Sequence, residues 1–388
     1  MALGQAPALA ATINVGGSCT LVNAITAANN NAATGGCTAG SGADKIVLPA
    51  SSTQTLTSVN NTYNGATGLP VVSSVITIAG NGSTIRRDPD APEFRVFAVS
   101  SNGNLILQRT TVSGGISFDF GGGLASYGAL TLTKSTISNN SATGAGGGGV
   151  FDASGGGPLS VTNSTITGNS GSQGGGILCS GGTITNSTIS GNLAEGGGGG
   201  LFSNGTSSVT NSTISGNTSI SGAVANFGTL TLTNTTISGN TASNVGGGGV
   251  RNSGTLTLNR TLISGNSATG GPPELYNRAT VIANNFNVFG KNGDVGTSNF
   301  SPGATDIVAK QSLSGILVTT LANNGGPTQT HALVTGSPAV DAVSAAGCPP
   351  PETDQRGVER PQNATCDIGA FELELAQPGT VQFRRTNI

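Results

Sequence analysis

A heptad of the form Asn-Ser-Thr-Ile-Ser-Gly-Asn that returns about every 25 residues, period-two alternation of aliphatic and hydroxyl side chains, and glycine runs between the alternating stretches predict an all-β chain wound as a parallel β-helix. The heptad stands as KSTISNN at 134–140, NSTITGN at 163–169, NSTISGN at 186–192 and 211–217, NTTISGN at 234–240 and RTLISGN at 260–266. Its isoleucines, Ile137, Ile166, Ile189, Ile214, Ile237 and Ile263, are spaced by 29, 23, 25, 23 and 26 residues. Fainter copies stand at 75–81, 110–114 and 281–285. Each repeat carries three short alternating stretches: one behind a glycine run, one reading Leu-Thr-Leu-Thr, as at 130–133 and 230–233, and the Thr-Ile-Ser segment. Such alternation marks strands, and none of the stretches is long enough for a helix. Three strands in ~25 residues leave no room for a returning hairpin, so each repeat is one coil of a three-sheet solenoid with Gly and Asn at its corners. About nine coils at ~4.8 Å make a rod of roughly 43 Å, and only their stacking creates a core.

The composition excludes the main alternatives. Of 388 residues, 15 are Lys or Arg and 17 are Asp or Glu, so charge reaches 8% where globular domains carry ~25%. A coiled coil needs more Glu, Lys and Arg, and a disordered chain lacks periodic aliphatics. A net charge of -2 offers no basic face to nucleic acid. No apolar run approaches the ~20 residues of a membrane-spanning helix.

The two ends differ from the middle. Cys19 and Cys37 lie 18 residues apart, as do Cys348 and Cys366, and no pair has the Cys-x-x-Cys spacing of a zinc site. Two disulfides in an oxidising compartment are expected, with Cys179 unpaired. Residues 20–30 (TLVNAITAANN) place Leu21, Ala24, Ile25 and Ala28 on one helical face behind Thr20 as N-cap. The Cys19–Cys37 bridge would staple this helix over the open end of the stack. The expected organisation is a leader remnant (1–18), an N-terminal cap (19–45), the solenoid (46–296), a Pro-rich C-terminal cap (297–375) and a linker toward a further module (376–388).

The opening CTLVNAITAANN at 19–30 resembles the Cys-Ser-Leu-Arg-Glu-Ala motif of a bacterial family of secreted β-helix proteins, with Val22-Asn23 where the family has Arg-Glu. The tail is more similar to that family's choice-of-anchor Q region: NNGGPTQTHALVTGSPAVDA at 323–342, DQRGVERP at 354–361 and CDIGAFE at 366–372. The resemblance spans nearly the whole chain and implies a right-handed helix, export, and secretion or surface display. It implies no reaction and no catalytic residues. The repeats also resemble polymorphic outer-membrane proteins and pectate-lyase-like enzymes at the level of fold. The ending PGTVQFRRTNI is similar to the first strand of a Calx-β module.

Stacking turns sequence positions into columns. Ser126, Asp152, Cys179, Ser203, Asn226 and Asn252 should point inward, as a ladder of small polar groups or, on a sharper reading, as a reactive Asp152–Cys179 pair. The one histidine, His331, lies in the tail and offers that pair no base. Asn163, Asn186, Asn211, Asn234 and Asn259, preceded by Lys134, form a corner column read as an asparagine ladder rather than glycosylation sites. An outward row contains Phe151, Leu178 and Phe202, flanked by Tyr127 and Phe227; it is either covered by a loop or the tail, or a docking stripe for a sugar face or a second copy. The hydroxyl pairs Thr136/Ser138, Thr165/Thr167, Thr188/Ser190, Thr213/Ser215 and Thr236/Ser238 resemble the flat ice-binding lattice of β-solenoid antifreeze proteins, or simply reflect β-propensity.

Catalysis on this fold needs clustered charge: a Lys, Arg or Tyr base for a lyase, or two carboxylates ~5–9.5 Å apart for a hydrolase. Within 121–270 the charged residues are Lys134, Asp152, Glu195, Arg251 and Arg260, mostly separated by one or more coils. If the chain were an enzyme, Lys134, Arg251, Arg260 and Asp152 would be its candidates. No cofactor is indicated; Asp88, Asp90 and Glu93 in RRDPDAPEFR are a calcium candidate against a plain solvated turn. The reading is a secreted or surface-displayed, non-catalytic β-helix for adhesion, matrix or envelope structure. Its partners would be a polysaccharide, a cell-surface glycan or another copy of itself. The alternatives are a polysaccharide lyase or hydrolase and an ice-binding protein.

Overall fold

A computed structural model describes residues 10–144, 146–153, 159–244, 246–348 and 351–374. The sequence-predicted linker at 376–388 lies outside them, as do the first nine residues of the expected leader. The rest of that leader behaves otherwise. Thr12–Asn14 pairs in parallel with Lys45–Val47, so the first rung of the solenoid lies inside the stretch read as a leader.

Between those two rungs sits α1 (Leu21–Asn30), the one α-helix among the described residues. Thr20 caps it as expected, its Oγ1 accepting the Asn23 N–H at 3.2 Å, and Asn31 ends it in the left-handed region at φ 50°. Leu21, Ala24, Ile25, Ala27 and Ala28 are buried against the first coils. Disulfides join Cys19 to Cys37 and Cys348 to Cys366.

The coils stack in register along three main rows. Leu124–Ser126, Val150–Asp152, Ile177–Cys179, Leu201–Ser203, Val224–Asn226 and Val250–Asn252 form the first. The Leu-Thr-Leu-Thr stretches form the second and the Thr-Ile-Ser segments the third. A fourth, two-residue row that the pattern did not signal runs from Ile116–Ser117 through Ser141–Ala142 to Ser267–Ala268. Pairing continues past the expected boundary at 296 to Thr297–Ser298 and Ile307–Val308. The six repeat isoleucines are all fully buried, each such burial contributing ~1.5–3 kcal/mol.

Polar ladders thread this apolar core. The asparagine ladder uses the last Asn of each heptad: Asn140, Asn169, Asn192, Asn217, Asn240 and Asn266. From Asn169 onward each Oδ1 accepts both the backbone N–H and the Nδ2 of the preceding Asn at 2.8–3.1 Å, while Asn140 Oδ1 accepts the Gly115 N–H at 2.9 Å. Each remaining Nδ2 proton goes to a strand carbonyl, as from Asn217 to Ile189. The expected ladder at Asn163, Asn186, Asn211 and Asn234 is therefore corrected. These residues are left-handed corners with φ 46–52°, and the next member of the column is Arg260, not Asn259. The alternation misleads there because a left-handed residue between Ser and Asn turns the second Asn inward.

Glycine runs make room for the ladder. A Cβ on Gly149 would stand 2.9 Å from Asn169 Cγ, and one on Gly148 would stand 2.1 Å from the Ser170 carbonyl oxygen. Glu274 occupies the position stacked on Gly249 and ends the ladder. Its Oε2 accepts Asn266 Nδ2 at 2.6 Å and its Oε1 the Gly265 N–H at 2.9 Å. A donor-to-acceptor chain of amides needs an acceptor at its last Nδ2, and a carboxylate supplies one. Burial pushes the Glu274 carboxyl up to about 7. Its stability contribution is thus fully present below about 4.5, the ordinary value, and is lost as pH rises through about 7. Thermal unfolding across that window should show a smaller fall in midpoint with rising pH for Glu274→Gln than for the wild type; equal slopes would refute the assignment.

Candidate functional site

The columns fall where the alternation puts them, but three of the expected surfaces are occupied by the chain itself. Ser126, Asp152, Cys179, Ser203, Asn226 and Asn252 all point into the core. Asn226 donates to Asn252 and Asn252 to Asn277, each at 2.8 Å. Cys179 lies 3.7 Å from Ser207 Oγ, and burial pushes its thiol up to about 11, the opposite of an activated nucleophile. The Asp152–Cys179 reading is corrected accordingly.

The outward row has the expected register, Phe151 beside Leu178 and Leu178 beside Phe202. It is not a docking stripe, because Phe151 is 7% exposed and Leu178 and Phe202 are 6% exposed. Phe120 stacks on Phe151 at 4.1 Å, and Phe227 stacks on Phe202 at 5.0 Å while staying 42% exposed itself. The covering groups arrive from turns that follow neighbouring strands, so the repeat pattern does not announce them.

The tail covers the Thr-Ile-Ser face. Thr213 Oγ1 donates to Gln355 Oε1 at 2.7 Å, and Gln355 Nε2 donates to Thr188 Oγ1, Thr328 Oγ1 and the Gln329 carbonyl. Ser215 Oγ meets His331 Nε2 at 2.8 Å, and Thr236 Oγ1 accepts the Ala370 N–H at 3.0 Å. Thr188, Ser190, Thr213, Ser215, Thr236 and Ser238 are consequently buried, leaving Thr136, Ser138, Thr165 and Thr167 half-buried. The proposed ice face is corrected: more than half of the lattice is an internal interface. The sequence motifs of the tail are thereby explained, since Gln355, His331 and Thr328 bond to this hydroxyl face.

The tail also gathers the densest charge in the described residues. Arg356 pairs with Asp354 at 2.7 Å and Arg360 with Glu372 at 2.7 Å, all four deeply buried. Burial raises Asp367 to about 7 and also raises Glu372, while it lowers Arg360. Apart from the buried Arg360 Nε, they bond mainly to one another and to backbone groups, as when Asp354 accepts the N–H groups of Arg356, Val358 and Glu372.

The enzyme candidates are not brought together. Lys134 is an exposed corner at φ 50°. Arg251 lies on the outer face over the Phe227 ring at 5.3 Å, bonded to Ser221 Oγ at 3.1 Å. Arg260 donates to Asn234 Oδ1 at 2.8 Å, and Asp152 is inside the core. The calcium candidate is also corrected. Asp88 Oδ1 accepts the Asp90 N–H at 3.0 Å, and no cluster of carboxylates in the described residues is arranged to hold a metal.

A solvent-open hollow of about 290 Å³ remains, lined by Asn64, Asp119, Phe120 and Tyr127. Tyr63 packs edge-on against Tyr127 at 6.1 Å, and Tyr127 against Phe151 at 5.9 Å. Behind it Arg95 is fully buried, its Nη2 donating to the Asn64 carbonyl and to Ser117 Oγ. Sequence reading found Tyr127 but not its companions; RRDPDAPEFR reads as a charged loop, and nothing local shows that Arg95 turns inward.

Residues 114–288 match the family model described as "Right handed beta helix region". The crystal structure of pectate lyase Pel9A aligns with 85% of this chain and 88% of its own, at 15% identity and a TM-score of 0.45. No curated protein matches. The chain is built on an all-β, right-handed parallel β-helix of about nine turns.

Proposed function

We propose that this chain is an extracellular, non-catalytic β-helix, a rigid scaffold for adhesion, matrix or envelope structure that contacts glycans. The observation that carries the reading is the disposition of charge. The charged residues between 121 and 270 are few and mostly separated by one or more coils, and the ion pairs of the tail are buried where they hold the fold. A lyase or hydrolase needs a base or a carboxylate pair open to substrate. Two disulfides support an oxidising, extracellular setting. The aromatic hollow is the surface feature suited to a sugar, with apolar ring faces beside polar groups.

The test is incubation with neutral and acidic polysaccharides, with and without calcium, scoring retention and cleavage separately. Retention on at least one polysaccharide without new ends or unsaturated products is the expected result. Cleavage of any of them overturns the non-catalytic reading, and lack of retention on all of them overturns the glycan contact.

A further inference from the structure

We infer that the hollow between Asn64, Asp119, Phe120 and Tyr127 is a preformed site for one neutral pyranose ring, an inference that rests on the glycan-contact reading above. Its walls come from three separate turns. Tyr63 and Asn64 belong to the connection after Thr53–Leu56, Asp119 and Phe120 follow Ile116–Ser117, and Tyr127 follows Leu124–Ser126. Loops this far apart need something to hold them in one geometry.

Arg95 does so. It is fully buried, and its Nη2 bridges the Asn64 carbonyl and Ser117 Oγ, the second at 3.2 Å. Ser117 Oγ in turn accepts the Asp119 N–H at 3.1 Å. Asn64 is held in the left-handed region at φ 47°. Burial lowers the pKa of the Arg95 guanidinium, whose Nε and Nη1 are enclosed, while the Tyr127 phenol and the Asp119 carboxylate nearby act against that shift. A buried guanidinium without a close ion pair is costly, and a fold retains one where it positions something.

The aromatic floor is equally fixed: Phe120 stacks on Phe151, and Tyr127 is wedged between Phe151 and Tyr63. What is left open is a ring-sized space at the small end of the ~300–1,000 Å³ range of ligand pockets. Phenyl and phenol faces suit the C–H face of a pyranose. Asp119, whose carboxylate lies near Arg95, and Asn64 are both exposed residues lining the hollow, so a carboxylate acceptor and an amide donor stand within reach of vicinal hydroxyls. The sign of the charge selects the class. Arg95 is buried behind the hollow, so a uronate would meet the exposed Asp119 carboxylate, a like-charge contact that a neutral hexose avoids.

The chain supplies its own probe. It contains no tryptophan and three tyrosines, of which Tyr63 and Tyr127 border the hollow and Tyr276 does not. Titrating the whole chain with cellohexaose, maltohexaose and trigalacturonate while following tyrosine emission should give a saturable change with a neutral oligomer and none with trigalacturonate. Asp119→Asn, which keeps the side-chain shape, and Asn64→Gly, which keeps the left-handed turn, should each weaken that binding at least tenfold while the strand signature is unchanged. Binding that survives both substitutions, or a preference for trigalacturonate, overturns the inference. Retention on polysaccharide with no tyrosine response also overturns it while leaving the scaffold reading in place; loss of retention removes that reading as well.

Discussion

Asn217→Ala lowers the stability of the solenoid by about 3–5 kcal/mol, the largest effect expected of a single polar substitution here. The wild-type side chain lies in the middle of the asparagine ladder. Its Oδ1 accepts the N–H and Nδ2 of Asn192, and its Nδ2 donates to Asn240 Oδ1 and to the Ile189 carbonyl. Truncation deprives two donors of Asn192 and the Ile189 carbonyl on the preceding coil of their partner, and leaves Asn240 Oδ1 on the following coil with the residue-217 N–H alone. Each such group costs ~1–3 kcal/mol, and an alanine-sized void is too apolar to recruit a water for all of them. Because coils contact only their neighbours, the damage should be local. Hydrogen exchange of amides in coils next to residue 217 should accelerate more than exchange near α1. Thr183→Ala, an exposed hydroxyl on an outer strand face, is the control and should change stability by less than ~0.5 kcal/mol. Similar melting behaviour in the two variants would mean that the ladder is ornamental.

Arg360→Met unfolds the tail from within. Arg360 Nη1 donates to Glu372 Oε2 and the Asp367 carbonyl, and Nη2 donates to the Gly369 carbonyl. Removing the cation abandons a buried Glu372 and two carbonyls, and breaking a buried pair from one side costs ~3–5 kcal/mol. These partners all lie within the tail, whose hold on the solenoid is a set of neutral hydrogen bonds, such as Gln355 to Thr213 and His331 to Ser215, plus an apolar patch with Leu262 and Val288. Limited proteolysis should therefore clip the variant after residue 317 while the solenoid keeps its strand signature. Arg360→Met/Glu372→Met should recover much of the loss, since replacing both partners leaves no uncompensated charge. A protease-resistant tail in the single variant would show that the neutral contacts alone suffice.

The repeat, the inward and outward faces of each strand, the N-cap at Thr20 and the two cysteine pairs were legible because each is a local or periodic property. Six copies of the heptad place six isoleucines inward whatever the connecting turns do. The identity of the asparagine ladder was less legible, because the heptad carries Asn at its first position in four copies and at its last in six, and the left-handed residue before the last one turns it inward. What covers each face was decided by tertiary structure alone. Phe151 and Phe202 alternate as surface residues yet are closed over by Phe120, Tyr127 and Phe227 from turns that do not repeat. Thr213 and Ser215 belong to an outward hydroxyl row yet lie beneath a tail more than a hundred residues away in sequence. The hollow follows the same logic, joining residues from three loops through one buried arginine. Periodicity fixes which side of a strand a residue takes. Whether that side meets water depends on unique segments, whose packing energy comes from partners that sequence spacing does not name.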